Sequence, residues 1–332
     1  MKRDRFLLLA LLFASSVGWA QTTDSTAYCD PSCIGQPRPK GFELNYERML
    51  DYGITGVRND ITPGDYAAEV RRNARWKLKV RVPVYNTKAW KVNLGVGYSS
   101  ENYSLERESG QAEQVLDLLE DIRLRSLSAG VYVVKPFIGK HYMVLRTNSS
   151  LNDDGGAIVD KGNIMKHEVA LAFGVKRDPY TAYGVGVAFS YTLGRARILP
   201  LIAYDHSFDP HWGLEILLPS HIRARYAFGQ GNLLLFGAKV DGANYNIRLQ
   251  GQGLDGIYFL ERSDVRGFVR YEREIHDWLW FGADLGYNMN IDLSLVTDHG
   301  ARRGDVILSN TVASAIYFGA GIFVVPPRSM WQ

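Results

Sequence analysis

Beyond its first twenty residues the chain has no apolar run long enough to cross a bilayer as a helix, although 46% of its 332 residues are hydrophobic and 12% aromatic. Helical membrane spans are thereby excluded, and the apolar residues must be spread over short segments. Cysteine is nearly absent: Cys29 and Cys33 are the two in the chain. A disulfide framework or a thiolate metal centre therefore cannot organise the fold. Charge of one sign is also in short supply. The formal charge is +3, and the basic residues are interleaved with apolar ones instead of clustered, which leaves no footprint for a nucleic-acid partner.

What is present is alternation. In the stretch from Trp76 to Val84, the residues Trp76, Leu78, Val80, Val82 and Val84 share one face, and Lys77, Lys79 and Arg81 share the other. This is a β-strand with an oily side and a charged side. The pattern recurs near residues 89–104, 124–137, 141–149, 165–177, 182–194, 197–208, 211–228, 232–249, 257–276, 278–295 and 312–325. Inward positions are rich in Gly, Ala, Ser and Asn, as suits side chains sharing the inside of a closed cylinder, and Tyr and Trp lie near segment ends. The expected fold is all-β: a transmembrane antiparallel up-and-down β-barrel of 12 to 14 strands over residues 42–326. Dividing 211–228 at Pro219-Ser220 gives fourteen strands. The unbroken outward parity from Trp212 to Tyr226 favours one long strand and gives twelve.

Four further features accompany the barrel. Lys2, Arg3 and Arg5, the apolar run Phe6 to Ala14 and the small residues of Gly18-Trp19-Ala20 form a secretory signal peptide over residues 1–20. Residues 21–41 read as a mobile periplasmic leader, with Cys29 and Cys33 joined in a small local disulfide, and residues 327–332 as a tail. Within 105–122, Val115, Leu116, Leu118, Leu119 and Ile122 recur at helical spacing and predict a short loop helix. A change of phase near Asp241-Gly242, where outward positions pass from Val240 to Tyr245, predicts a bulge or an extra turn.

At Ser190-Tyr191-Thr192-Leu193-Gly194, Phe208-Asp209-Pro210-His211-Trp212-Gly213-Leu214-Glu215, Leu218-Pro219, Arg225-Tyr226 and Gly242-Ala243-Asn244-Tyr245, the chain resembles the outer-membrane β-barrel proteins of Bacteroidetes catalogued as a family of unknown function. The resemblance implies an outer-membrane location in a Gram-negative bacterium. It brings no substrate and no catalytic residue.

The inward charges are the best functional clue. Lys77, Lys79, Arg81, Lys176, Arg223, Arg225, Lys239, Arg266 and Arg270 face Glu215, Glu272, Glu274, Asp284 and Asp292. They either brace the interior as ion pairs or line a water-filled pore whose basic wall favours small anionic or polar solutes. The expected protein is a non-enzymatic, porin-like channel whose partners are membrane lipid and such a solute, with no cofactor and no metal. A closed structural or surface-interaction barrel and a lipid-modifying barrel enzyme are the alternatives. For the enzyme, Asp205-His206-Ser207 and Ser220-His221 are the candidates, but neighbours on a strand point to opposite faces, so neither pair makes a nucleophile-base couple by itself. His167-Glu168 lacks further metal ligands, and Asp153-Asp154 with Asp160 lacks the periodicity of a calcium loop.

Overall fold

The computed structural model describes residues 28–59, 64–110, 123–154, 165–229, 231–249, 256–298 and 305–331. The signal peptide and the apolar positions of the expected loop helix lie outside the described residues. The start of that helical span is strand, because the fourth segment stays extended to Gly110.

Sixteen extended segments follow one another: β1 (Phe42–Met49), β2 (Tyr52–Arg58), β3 (Gly64–Asn86), β4 (Lys91–Gly110), β5 (Arg123–Pro136), β6 (His141–Asp153), β7 (Lys166–Asp178), β8 (Thr181–Ser190), β9 (Arg197–Ser207), β10 (Trp212–Leu218), β11 (His221–Ala227), β12 (Asn232–Leu249), β13 (Gly256–His276), β14 (Leu279–Val296), β15 (Val306–Val312) and β16 (Ala315–Val324). A helical turn, α1 (Arg328–Trp331), comes last. Each pairs antiparallel with its successor in the ring, and β1 pairs with both β16 and β3, which closes the sheet. β1 and β2 are one wall interrupted at two residues, as are β15 and β16, and the register carries straight across both interruptions. The barrel therefore has fourteen walls.

The turn at Pro219-Ser220 explains why parity pointed to twelve. Trp212 faces Tyr226 and Leu217 faces His221 across the β10–β11 hairpin, so residues of equal parity face one another and the outward set runs through the turn without a break. Parity is blind to a turn of that length. Six tight turns, at β3–β4, β5–β6, β7–β8, β9–β10, β11–β12 and β13–β14, lie at the same end as the start of β1 and the end of β16.

Around its middle the barrel is inverted relative to a water-soluble protein. Ile198, Val185 and Leu285 are 75%, 66% and 61% exposed on the outside, whereas Arg266 and Arg225 are 0% and 2% exposed inside. Hydrocarbon takes the apolar face and the lumen takes the charges. Rings of Trp212, Tyr226, Phe228 and Tyr271 follow one another around the tight-turn end at centroid spacings of 4.6, 5.8 and 6.1 Å, a stretch of aromatic girdle. Towards the other end the polarity reverses. A bulge between Val70 and Arg72 re-phases β3 so that Tyr66, Ala68 and Val70 turn inward and Arg71 turns out, where it pairs with Glu69 and Glu106 at 2.9 and 2.6 Å. Water has replaced lipid as the outer solvent, and an apolar cluster with Leu124, Ile247, Leu295 and Leu308 fills the interior.

The β12–β13 hairpin supplies part of that cluster by leaning into the lumen. Tyr245, expected to face outward, is buried in the cluster, and β12 makes a parallel bridge to β6 at Asn246 and Asp153. The register of β12 against β13 is continuous through Asp241-Gly242. The irregularity lies one strand over, where β14 bulges with an extra residue, Ile291, against Ser263 and Asp264 of β13, which face Gly242 and Asp241. That bulge releases the hairpin from the wall and lets both of its faces be buried.

Candidate functional site

The lumen is divided into a filled arc, from β12 round to β4, and a hollow arc, from β5 to β11. In the filled arc, long side chains meet across the interior. Arg75 of β3 binds Glu101 of β4 and Asp241 of β12, both at 2.7 Å. Lys77 reaches Glu47 at 3.4 Å and Asp241 at 3.6 Å, and Arg266 reaches the same two carboxylates at 3.0 and 3.4 Å. Arg262 adds Glu101 at 2.6 Å and Asp264 at 3.3 Å. Because β3 and β12 are not neighbours in the ring, the Arg75–Asp241 bridge crosses the barrel. Nearer the tight turns, Arg270 holds Glu272 at 2.7 Å and Asp284 at 2.6 Å. Lys239 lies 5.5 Å from the centre of the Phe268 ring.

Over residues 28–41 the leader is bonded to the barrel and forms a strap across the tight-turn mouth. Its backbone is bonded to the wall: the Cys29 N–H donates to Phe137 O at 2.9 Å, the Ile34 N–H to Pro179 O at 3.0 Å and the Gly41 N–H to Val324 O at 2.8 Å. Lys176 Nζ donates to Ser32 O at 2.6 Å and Ser207 Oγ to Ile34 O at 2.5 Å, while the Gln36 amide donates to Asp205. Arg225 stacks the corner from within, bonded to Ser207 and paired with Glu215 at 3.2 Å and Asp205 at 3.5 Å. The strap turns above it at Gly35, whose φ of 81° is one that other residues rarely adopt. Further along, Arg38 pairs with Asp277 at 3.0 Å and Glu274 at 3.5 Å, and Lys40 sits 3.9 Å above the Phe323 ring.

Cys29 and Cys33 are buried free thiols, so the expected local bridge is not formed. Each half of the motif is anchored separately, Cys29 through its backbone to the β5–β6 turn and Cys33 through its Sγ, 3.9 Å from Asp205 O. Burial, and then the Asp205 carboxylate, pushes the Cys33 thiol up to about 11.

The hollow arc encloses a cavity of about 650 Å³ that rises from Ser32 and Gln36 of the strap to the Pro219 turn. Small residues, Ala170, Ala172, Gly174, Ala182, Gly184, Ala188 and Ala203, leave the space open beside the larger Tyr142, Val144, Leu199 and Leu201. Its carboxylates are all engaged. Glu168 accepts from Ser190 Oγ at 2.7 Å, Glu215 is held by Arg223 and Arg225, and Asp205 by Arg225 and the strap. Arg146, which lines the cavity, has no carboxylate within ion-pair distance among the described residues, and the same is true of Lys79 and Arg81 on β3.

The charged positions expected from sequence thus part into four groups. Lys77, Lys239, Arg266, Arg270 and Asp284 belong to the filled arc. Lys176, Arg225, Glu272 and Glu274 hold the strap, and Glu274 sits at the rim and not in the lumen, where it also binds Arg328 of α1 at 2.5 Å. Arg223 borders the cavity, and Lys79 and Arg81 are exposed. Glu47, Arg75, Glu101, Asp241 and Arg262 were missed. Continuing the parity of Lys77, Lys79 and Arg81 back by one step finds Arg75, and continuing Gly95, Gly97 and Ser99 forward finds Glu101. Asp241 was hidden in the supposed irregularity.

The histidine candidates separate as well. Asp205 and Ser207 face the lumen, while His206 faces outward, 2.9 Å from Thr181 Oγ1 and against Phe208. Ser220 lies in a turn, so the strand rule does not apply to it, and its Oγ is 3.3 Å from His221 Nδ1. The neighbouring pair therefore does come together, contrary to expectation. Ser149 Oγ is 2.9 Å from His167 Nδ1. Asp160 lies outside the described residues, and Asp154 Oδ2 accepts the Arg248 N–H at 2.7 Å, a backbone cap.

Residues 67–323 match the family described as "Domain of unknown function (DUF6268)". The chain belongs to that family. No curated protein matches it. Among solved structures it is similar to an outer membrane channel from Pseudomonas putida F1, at 10% identity over 89% of this chain and 99% of that one, TM-score 0.38. It is similar to the Pseudomonas putida toluene transporter TodX, at 10% identity over 86% and 89%, TM-score 0.38, and to the outer membrane protease OmpT from Escherichia coli, at 7% identity over 91% and 100%, TM-score 0.34. Likenesses at this level describe a barrel's outline and not its cargo.

Proposed function

We propose that this member of the family is an outer-membrane channel that passes small polar or anionic solutes along its hollow arc without covalent chemistry. The short turns and the strap then face the periplasm. The observation that carries the reading is the cavity of about 650 Å³ kept open by Ala and Gly. Two of its carboxylates, Glu215 and Asp205, pair with Arg223 and Arg225, Glu168 is held by neutral donors, and Arg146, and Lys79 and Arg81 on β3, have no carboxylate within ion-pair distance among the described residues; low-dielectric walls turn a surplus of unpaired cations into anion preference. Purified protein in planar bilayers is expected to give discrete conductance steps that favour chloride over potassium. Replacing Lys79, Arg81 and Arg146 by Gln should remove that preference. Lys77, already paired with Glu47 and Asp241, should matter little to it.

The strap and the inward-leaning hairpin favour a second reading, a closed structural barrel. It predicts silent bilayers and no solute uptake by reconstituted vesicles.

A further inference from the structure

A second, smaller cavity of about 190 Å³ opens off the hollow arc where β12 leans across the lumen. The two share Asn148, Glu168, Asp241 and Gly242 in their walls, so they adjoin. Hydroxyl and amide groups dominate the smaller one: Ser99 from β4, Ser126 and Ser128 from β5, Ser150 and Asn152 from β6, and Asn244 from β12.

At its back stands Lys166, 1% exposed. Lys166 Nζ donates to the neutral Asn246 Oδ1 at 2.8 Å and lies 5.8 Å from the Phe259 ring centre, with no carboxylate within ion-pair distance among the described residues. A buried ammonium without a counter-charge is strongly penalised. The other cations on this wall are already satisfied, Arg75 by Glu101 and Asp241, Lys77 by Glu47, and Arg262 by Glu101 and Asp264. Glu168 is no answer to Lys166, because it is committed to Ser190 Oγ, the Tyr191 N–H and Asn148 Nδ2. Two acceptors complete the picture: Asn152 Oδ1 and Asn244 Oδ1 are buried and receive no hydrogen bond.

The cavity thus asks for one negative charge and several hydroxyl donors on a compact body. We infer that it is a binding site for a small polyhydroxylated carboxylate, of the sugar-acid class, whose carboxylate pairs with Lys166 and whose hydroxyl groups donate to Asn152 and Asn244. The inference rests on the channel reading for the solute's passage and stands apart from it for binding.

Isothermal titration of the folded, detergent-solubilised chain with glucuronate, glucose and acetate tests it. Glucose keeps the hydroxyls without the charge, and acetate keeps the charge without the hydroxyls. Glucuronate should bind at least about tenfold more tightly than either, the value of one charge-assisted hydrogen bond. Lys166→Gln should bring glucuronate down to the level of glucose, and Ser150→Leu, which fills the cavity, should weaken both. Equal affinity for glucuronate and acetate would mark a generic anion site and overturn the inference, as would equal affinity for glucuronate and glucose, or glucuronate binding untouched by both variants. Bilayer conductance separates the two readings. Silent bilayers with intact glucuronate binding remove the channel and leave the site; conductance with no glucuronate binding removes the site and leaves the channel.

Discussion

The arc from β12 round to β4 and the arc from β5 to β11 share one wall design, apolar outward and polar or small inward, yet enclose opposite interiors. In the first, Glu47, Arg75, Glu101, Asp241 and Arg266 reach across and neutralise one another. In the second, Ala172, Gly174, Gly184 and Ala203 reach nowhere, and the lumen stays open. Strand number fixes the diameter, so the length of the inward side chains decides whether the interior is solid or empty. The two arcs differ in both side-chain size and polarity: Ala, Gly, Val144, Leu199 and Leu201 line much of the second, long charged side chains the first.

The largest effect should come from making the hollow arc resemble the filled one. Ala172→Trp combined with Ala203→Trp should cut bilayer conductance to background while the barrel still migrates as a folded species in unboiled detergent gels. Conductance that survives both would place the path elsewhere. Next in size is the loss of a member of the filled arc. Arg266→Ala removes one of the cations shared by Glu47 and Asp241, leaving Lys77 and Arg75 beside them, and should destabilise the barrel by about 3 kcal/mol, read as a lower urea midpoint. Arg146→Ala in the hollow arc should cost under about 1 kcal/mol. Equal losses would erase the distinction between the arcs.

A smaller effect is expected at the strap. Arg225→Ala removes charged hydrogen bonds that brace Ser207 and the Ile34 corner, costing about 1.5–3 kcal/mol, and should raise conductance by loosening the floor of the cavity. Unchanged conductance would mean that the strap does not limit flow. The smallest effect concerns Cys33. With its thiol pushed up to about 11, maleimide labelling should be slow at neutral pH and quicken by about tenfold per pH unit on approach to that value. Rapid labelling of the unaltered chain at pH 7 would contradict the buried strap.

Sequence alternation revealed the barrel because lipid imposes it on every strand: Trp76, Val82 and Val185 face outward as their parity requires. It did not settle the strand number, since the Pro219 turn preserves parity. It also failed beyond the membrane, where water replaces lipid and the bulge at Arg71 re-phases β3. The candidate site was half legible. Inward charges could be read from parity, but which of them meet across the lumen depends on the closure of the ring, as with Arg75 and Asp241. The strap left little signal, because residues 28–41 are held mainly through backbone atoms and through single side chains from distant strands, with no periodicity of their own. Asn152, Lys166 and Asn244 come together only because the β12–β13 hairpin leaves the wall.

The division of the lumen is tested most directly by one cysteine on each arc. In a Cys29→Ser, Cys33→Ser background, Ala203→Cys and Lys239→Cys are each exposed to a charged thiosulfonate during single-channel recording. Modification at position 203 should block the current, and modification at 239 should leave it unchanged. Block at 239 with an undisturbed current at 203 would contradict the account.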